Sequence, residues 1–188
     1  LTNMPLNCGI TDGIDINCED LRKPGGLFKD VWVFNLGDLR VPIDVTLADY
    51  ITNLEFFTYL SLYLFSSTKY SHEAVWAEQL GDGGNVSYLL TVTLRVPNSD
   101  PAADKVIEDA SVSDLVVITR SNAGEYQIWG AENGVSAGDG TTGGPGRQST
   151  DSTFSTIVLT GVERYLPKRL LVGGSSSATL AYLNARVV

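Results

Sequence analysis

The stretch VSYLLTVTLRV, residues 86–96, alternates between two sets of side chains along its whole length. A period of two residues is typical of a β-strand that buries one face, because successive side chains point to opposite sides of a sheet. We therefore predict a long strand here with its even-numbered residues facing the core, namely Val86, Tyr88, Leu90, Val92, Leu94 and Val96.

Similar β patterns occur on both sides of this strand. In KDVWVFNL, residues 29–36, the side chains of 31, 33 and 35 fall on one face and those of 32, 34 and 36 on the other. DLVVITR and EYQIWGA, residues 114–120 and 125–131, flank the turn SNAG and predict a hairpin. FSTIVLTGVE, residues 154–163, predicts a further strand.

One helix is well marked, in NSDPAADKVIEDAS, residues 98–111. Asp100 suits the N-cap and Pro101 the first helical position, and apolar residues follow at helical spacing. With roughly eight strands and one flanking helix, the predicted fold class is mainly β, a β-sandwich or barrel. The core spans residues 28–174, with an N-terminal arm at 1–27 and a C-terminal tail at 175–188.

Three segments are less regular. LRVPIDVT, residues 39–46, predicts an edge or bulged strand because proline cannot donate to a sheet ladder. YITNLEFFTYLSLYLF, residues 50–65, predicts one long strand or two joined near Thr58. KYSHEAVWAEQL, residues 69–80, fits either a strand with polar alternation or a short helix, and the pattern does not choose between them.

The charge balance restricts the partners. The chain has 188 residues and a formal net charge of −9, which disfavours tight binding to nucleic acid phosphates and to anionic membranes. No apolar run approaches the ~18 residues of a membrane span. Cys8 and Cys18 are too few for a disulfide framework, and we expect free thiols in preference to one disulfide.

The glycine-rich stretch GDGTTGGPG, residues 138–146, contains the spacing G-x-G-x-x-G of dinucleotide-binding loops. That motif requires a strand immediately before it and a helix immediately after it, and neither is predicted here. We therefore predict no nucleotide site. We predict instead that the loop 132–153 is an assembly loop that becomes ordered on a neighbouring subunit, with contacts at Gly138, Gly140 and Gly143.

No catalytic, metal or cofactor site is predicted. His72 has only Ser71 beside it, and adjacent side chains in a strand point to opposite faces. The acidic cluster Asp12, Asp15, Glu19 and Asp20 lacks the spacing of a calcium loop. The tryptophans Trp32, Trp76 and Trp129 are expected in the core rather than as a sugar platform.

The block PAADKVIEDASVSDLVVITRSNAGEYQIWGAENGVSAG, residues 101–138, together with DSTFSTIVLTGVE, residues 151–163, resembles tail-tube-like structural proteins of tailed bacteriophages that infect Bacteroidetes hosts. The resemblance covers about Ser87 to Glu163. It implies a non-enzymatic virion protein, made in the host cytoplasm, that forms usually hexameric rings stacked into a tail tube. Its partners would be further copies of itself and other tail or neck proteins, with DNA only as conducted cargo.

Two sets of residues follow from that function. The candidate lumen acids, which would repel passing DNA, are Asp38, Asp44, Asp49, Glu55 and Asp82. The candidate assembly contacts in the tail are Leu180, Tyr182, Leu183 and Val187, read as an exposed apolar strip. Deleting the tail is then expected to abolish assembly and leave a folded monomer. The alternative function is a receptor- or glycan-binding β-sandwich on a virion or cell surface, and a small hydrolase is a more remote third.

Overall fold

A computed structural model describes residues 25–46, 50–59, 61–68, 71–81, 84–97, 101–144 and 154–188. The described residues form strands and helices in the following chain order: β1 (Leu27–Asn35), β2 (Tyr50–Ile51), β3 (Tyr63–Ser66), β4 (Glu73–Leu80), β5 (Val86–Pro97), α1 (Pro101–Ser111), β6 (Leu115–Ser121), β7 (Tyr126–Trp129), β8 (Ser136–Ala137), β9 (Thr142–Gly144), β10 (Phe154–Glu163), β11 (Lys168–Leu170) and α2 (Ser176–Asn184).

The strands make two open sheets. The first sheet has the order β2-β11-β7-β6-β1-β3, and the second has the order β4-β5-β10-β8, with β9 also paired to β10. Every pairing is antiparallel except that of β2 with β11. The predicted mainly-β fold, a sandwich with a flanking helix, is confirmed.

The first sheet is buried on both of its faces. In β1, Val31 and Val33 pack in the core shared with the second sheet, whereas Trp32 and Phe34 pack in a separate core on the opposite face. Strand β6 follows the same rule, and its residues from Leu115 to Thr119 are all buried. The two-faced pattern predicted for residues 29–36 is therefore confirmed, and it places the first sheet as the middle layer.

The described residues bury the second sheet on one of its faces only. Of the even-numbered residues of β5, Leu90, Val92 and Leu94 are buried and pack against Val31, Val33 and Ile157, whereas Val86 at the start of the strand is 44% exposed. Strand β10 pairs with β5 along its whole length without a register shift. The hairpin of β6 and β7 is also confirmed, with the turn at residues 121–124.

The aromatic stretch 50–65 differs from its prediction. Its described residues form only the short strands β2 and β3, and the described residues between these strands cross the first sheet on the face away from the second sheet, with Leu54 and Leu62 buried against it. Residues 39–46 likewise contribute one isolated bridge, between Leu39 and Phe56. Apolar side chains here cover a sheet rather than extend it, and sequence alternation does not separate these two roles. The ambiguous segment 69–80 contains strand β4.

Helix α1 occupies residues 101–111, as predicted, although its proposed cap Asp100 lies outside the described residues. Helix α2 was not predicted. The side chain of Ser175 caps it by accepting a hydrogen bond from the Ala178 N–H at 3.1 Å, and its Leu183 is fully buried. The serines at 175–177, which lie in the predicted C-terminal tail, form the N-cap and first turn of this helix.

Candidate functional site

His72, the only histidine of the chain, is 5% exposed and lies just before β4, between the two sheets. Its Nε2 lies 3.1 Å from the backbone oxygen of Lys29, and its Nδ1 lies 3.3 Å from the backbone nitrogen of Arg95. The hydroxyl of neighbouring Ser71 donates to the backbone oxygen of Thr68 instead. The ring is thus bonded on both nitrogens to backbone and is not arranged to activate a serine.

Among the residues that the structure describes, no three histidine, cysteine, aspartate or glutamate side chains come together in a group able to hold a metal ion. Nor does any described helix have the length and apolar character needed to cross a membrane.

Strand β4 forms one border of the second sheet and is paired only with β5. The opposite border is formed by the short strands β8 and β9, both paired with β10. A border strand presents a row of backbone N–H and C=O groups that can pair with another chain. Within the described strands, therefore, the second sheet has two unlike borders. The border at β4 is long, and the border at β8 and β9 is short and rich in glycine.

The outer face of the second sheet has no layer of described residues upon it and carries few charges. The registers of β4, β5 and β10 place the following side chains on this face: Glu73, Val75, Ala77, Gln79, Ser87, Leu89, Thr91, Thr93, Arg95, Thr156, Val158, Thr160 and Val162. Glu73 and Arg95, both at one end, are its charged members. The rest is a surface of threonine and aliphatic side chains, of the kind that suits contact with another surface.

The inner face of the same sheet is uncovered where β4 and β5 approach their turn. Trp76 is 50% exposed and Leu80 is 73% exposed, although both point to the side on which the core lies. Trp76 packs edge-on against Tyr88, with ring centroids 5.8 Å apart. Trp32 and Trp129 are buried as expected, but the expectation that Trp76 is also buried is wrong. The reason is that the first sheet ends before this part of the hairpin.

A buried carboxylate, Glu163, terminates β10. Its Oε1 accepts the backbone N–H groups of Glu132 at 2.7 Å and Asn133 at 3.3 Å, in the loop after β7. Burial raises the pKa of the Glu163 carboxyl, opposed by these two hydrogen bonds. Beside it, a hydrogen bond from Arg164 lowers the pKa of Glu132. Through these hydrogen bonds Glu163 holds the loop after β7 against the end of β10.

Replacing Glu163 tests this interpretation. We expect Glu163→Leu to lower the free energy of unfolding by about 1–3 kcal/mol, because two N–H groups in a partly buried loop lose their acceptor. Glu163→Gln keeps an acceptor oxygen and is expected to cost clearly less. Urea unfolding at pH 7 measures both variants, and equal losses would show that the acceptor is unimportant.

The candidate lumen acids are not gathered on a sheet face. Asp38 accepts a hydrogen bond from the Asn35 side chain at 3.0 Å, and Asp44 accepts the Thr46 N–H at 2.9 Å. Glu55 forms an ion pair with Arg40, next to the Leu39–Phe56 bridge. These three acids lie in the loops that cover the first sheet, and Asp49 and Asp82 lie outside the described residues. Their role in a lumen stays a prediction.

The glycines proposed as assembly contacts lie in or beside strands that pair with β10. A Cβ atom at Gly138 would lie 2.5 Å from the Thr160 hydroxyl, and one at Gly143 would lie 2.5 Å from the Ser155 hydroxyl. Gly140 has a φ of +101° in the turn between β8 and β9. From Gly138 to Gly144 the segment thus packs against β10 of its own chain, and its contacts with a neighbouring subunit stay a prediction. Residues 145–153 lie outside the described part.

The tail residues proposed as assembly contacts are packed inside this chain. Leu183 is fully buried, and Leu180, Tyr182 and Val187 pack against the same core. The Tyr182 hydroxyl also donates to the backbone oxygen of Leu54. The expectation of an exposed apolar strip in residues 175–188 is therefore corrected, because α2 covers the free face of the first sheet.

The sequence reasoning missed the β4 border, the uncovered hairpin and Glu163. A weak signal existed for the hairpin, since Trp76, Leu80 and Val86 are large apolar residues close to the turn at residues 81–85. For Glu163 the pattern of β10 places its side chain on the buried face, but nothing in the sequence names the loop amides that it binds.

No protein-family model, curated protein or solved structure matches this chain.

Proposed function

We propose that this chain is a virion structural subunit that joins copies of itself head to tail into closed rings, which stack as the tail tube of a tailed bacteriophage and conduct DNA. The observation that carries the proposal is the second sheet with its two unlike borders, β4 on one side and β8 and β9 on the other. Unlike, mutually complementary surfaces on one subunit generate a ring when the rotation between copies closes.

The uncovered face of the second sheet supports the same proposal. Strands paired from copy to copy would make one continuous ring of sheet, with this face turned to one side. The face is built from threonine, valine and leucine side chains with charges only at Glu73 and Arg95. Such a surface has few positive charges to bind DNA phosphates. The net charge of −9 means that the rest of the chain also attracts DNA only weakly. DNA would therefore pass without tight binding.

Negative-stain electron microscopy of the purified chain tests the assembly directly. We expect rings or short tubes, and light scattering should give a mass that is a multiple of the 20.2 kDa chain. A monodisperse monomer at all concentrations up to the solubility limit would overturn the proposal.

Two neighbouring proline substitutions test the role of the β4 border. In an antiparallel strand, the backbone groups of consecutive residues point alternately toward the partner and away from it. Of Ala77→Pro and Glu78→Pro, one removes an N–H that bonds to β5 and the other removes an N–H that faces outward. We expect the outward one to retain the monomer's circular dichroism spectrum and lose assembly by at least tenfold in critical concentration.

The inward one serves as the control, since it is expected to lower the melting temperature. If both variants assemble like the parent chain, β4 is not the joining border and the head-to-tail arrangement fails.

A second candidate function is the binding of a glycan, favoured by the exposed Trp76, which packs against the partly buried Tyr88. Aromatic rings exposed on a β-hairpin can stack on the apolar face of a sugar. If the chain stays monomeric, quenching of tryptophan fluorescence by a panel of oligosaccharides, lost in Trp76→Ala, would support this function.

A further inference from the structure

The protonation state of His72 follows from its hydrogen bonds. The backbone N–H of Arg95 is a donor, so the Nδ1 atom 3.3 Å away must be an acceptor without a proton. The proton of the neutral ring then lies on Nε2, which donates to the backbone oxygen of Lys29 at 3.1 Å. The folded chain therefore holds one tautomer of a neutral imidazole.

These two bonds connect the two sheets. Lys29 belongs to β1 of the first sheet, and Arg95 belongs to β5 of the second sheet. His72 itself leads directly into the border strand β4. One imidazole thus ties three strands together at one end of the sandwich, next to an open cavity lined by the following residues: Gly26, Leu27, Ser71, Glu73, Thr93 and Thr156.

The charged groups around the ring come from each strand packed against it. Burial lowers the pKa of the imidazole, and the bond to the Lys29 carbonyl and the nearby Asp30 carboxylate of β1 oppose this in part. Glu73, which follows His72 at the start of β4, and Arg95 of β5 are the charged residues that line the open cavity beside the ring. The net direction is a pKa below the ordinary value for histidine, about 6.5.

We propose that His72 is an acid-sensitive clasp that holds the two sheets together while it is neutral and releases the start of β4 when it is protonated. A proton on Nδ1 turns the acceptor of the Arg95 N–H into a second donor that faces it. The hydrogen bond between the Arg95 N–H and Nδ1 is lost, and a charged imidazolium remains buried between the two sheets. The proposal goes beyond tube assembly and holds whether or not the chain forms rings.

The direction of the pH effect follows from linkage. The unfolded chain takes up a proton near pH 6.5, and the folded chain does so only at a lower pH. The stabilisation of the folded chain by neutral His72 is complete above about pH 6.5. It is lost as the pH falls from there toward the pKa of His72 in the folded chain. Within that window the unfolding equilibrium constant rises by up to tenfold for each pH unit. The useful range is about pH 5.5–7.5, above the titration of ordinary carboxyl groups.

Because the chain has one histidine, proton NMR can follow this ring alone. We expect a single titration with a midpoint below that of a histidine peptide measured in the same buffer. The Arg95 amide resonance should shift with the same midpoint, since the acceptor of its hydrogen bond changes. A midpoint at or above the peptide value, or an Arg95 amide that does not respond, would overturn the proposal.

Two variants extend the test to stability. His72→Gln keeps a side-chain donor and an acceptor without titrating, and His72→Phe keeps a ring and makes neither bond. Between pH 7.5 and pH 5.5 the urea midpoint should fall by a larger amount in the parent chain than in any variant that folds, because Glu163, with its raised pKa, is retained in all of them. An equal fall of the urea midpoint in the parent chain and in the variants would assign the pH dependence to another group. If neither variant folds, the NMR titration of the parent chain decides.

Discussion

Removal of residues 175–188 is expected to abolish cooperative folding of the chain. The deletion takes away α2, whose Leu183 is fully buried in the core against the first sheet, and the Asn184 side chain that accepts the indole N–H of Trp32 at 3.3 Å. It also removes the Val187 bridge to Leu62. The first sheet would then lose part of the cover on its face away from the second sheet, and apolar side chains packed there, such as Trp32 and Phe34, would become exposed to water.

Circular dichroism and thermal melting of the truncated chain measure this result. A sharp melting transition within a few degrees of the full-length chain would contradict it, and would restore the interpretation of these residues as an appended tail. The sequence alone had favoured that second outcome, so the experiment separates the two accounts.

A point substitution makes the same test without shortening the chain. Leu183→Ala is expected to lower the free energy of unfolding by about 2–5 kcal/mol, because it opens a cavity in a packed core. The matched control is Ala181→Ser, an exposed position on the same helix, for which we expect a change within about 0.5 kcal/mol. Equal effects of the two substitutions would show that α2 is not a core element.

The second large effect is expected at Gly161 in β10. A Cβ atom there would lie 2.9 Å from Cγ1 of Val135, and nearer still to the backbone oxygen of Gly134. The loop from β7 to β8 therefore packs directly on this glycine, and the capping bonds from Glu163 hold it in place. Gly161→Ala forces backbone to move in a close-packed interior, and we expect a loss of about 1–3 kcal/mol.

Gly37 provides the control for Gly161. A Cβ atom at Gly37 meets nothing within 4 Å, so Gly37→Ala is expected to change stability by less than about 0.5 kcal/mol. Urea unfolding of both variants gives the comparison. If Gly161→Ala is as mild as Gly37→Ala, the loop moves freely away from β10.

The long strands were predictable because their periodicity is produced by burial itself. Alternation in residues 86–96 and the two apolar faces in residues 29–36 both require a sheet, and both are observed. Helix α1 was predictable for the same kind of local reason, a proline at its first position and an apolar stripe. These signals lie within one element and need no knowledge of its neighbours.

The candidate surfaces were not predictable in this way. Trp76 and Trp129 lie in similar strand patterns, yet one is half exposed and the other buried, because only one of them has the first sheet opposite it. Glu163 became a loop cap because β10 ends beside the amides of Glu132 and Asn133, which are distant in sequence. The borders of a sheet likewise depend on which strands pair, and local pattern does not encode pairing.

By itself, the sequence determined the β class, the main strands and the helix after β5. The tertiary structure alone decided that residues 176–184 are a core helix, that Leu54 and Leu62 help to cover a sheet and that β4 is left as a border. The physical reason is that burial creates local periodicity, whereas the choice of which apolar face covers which sheet is made by contacts between distant segments.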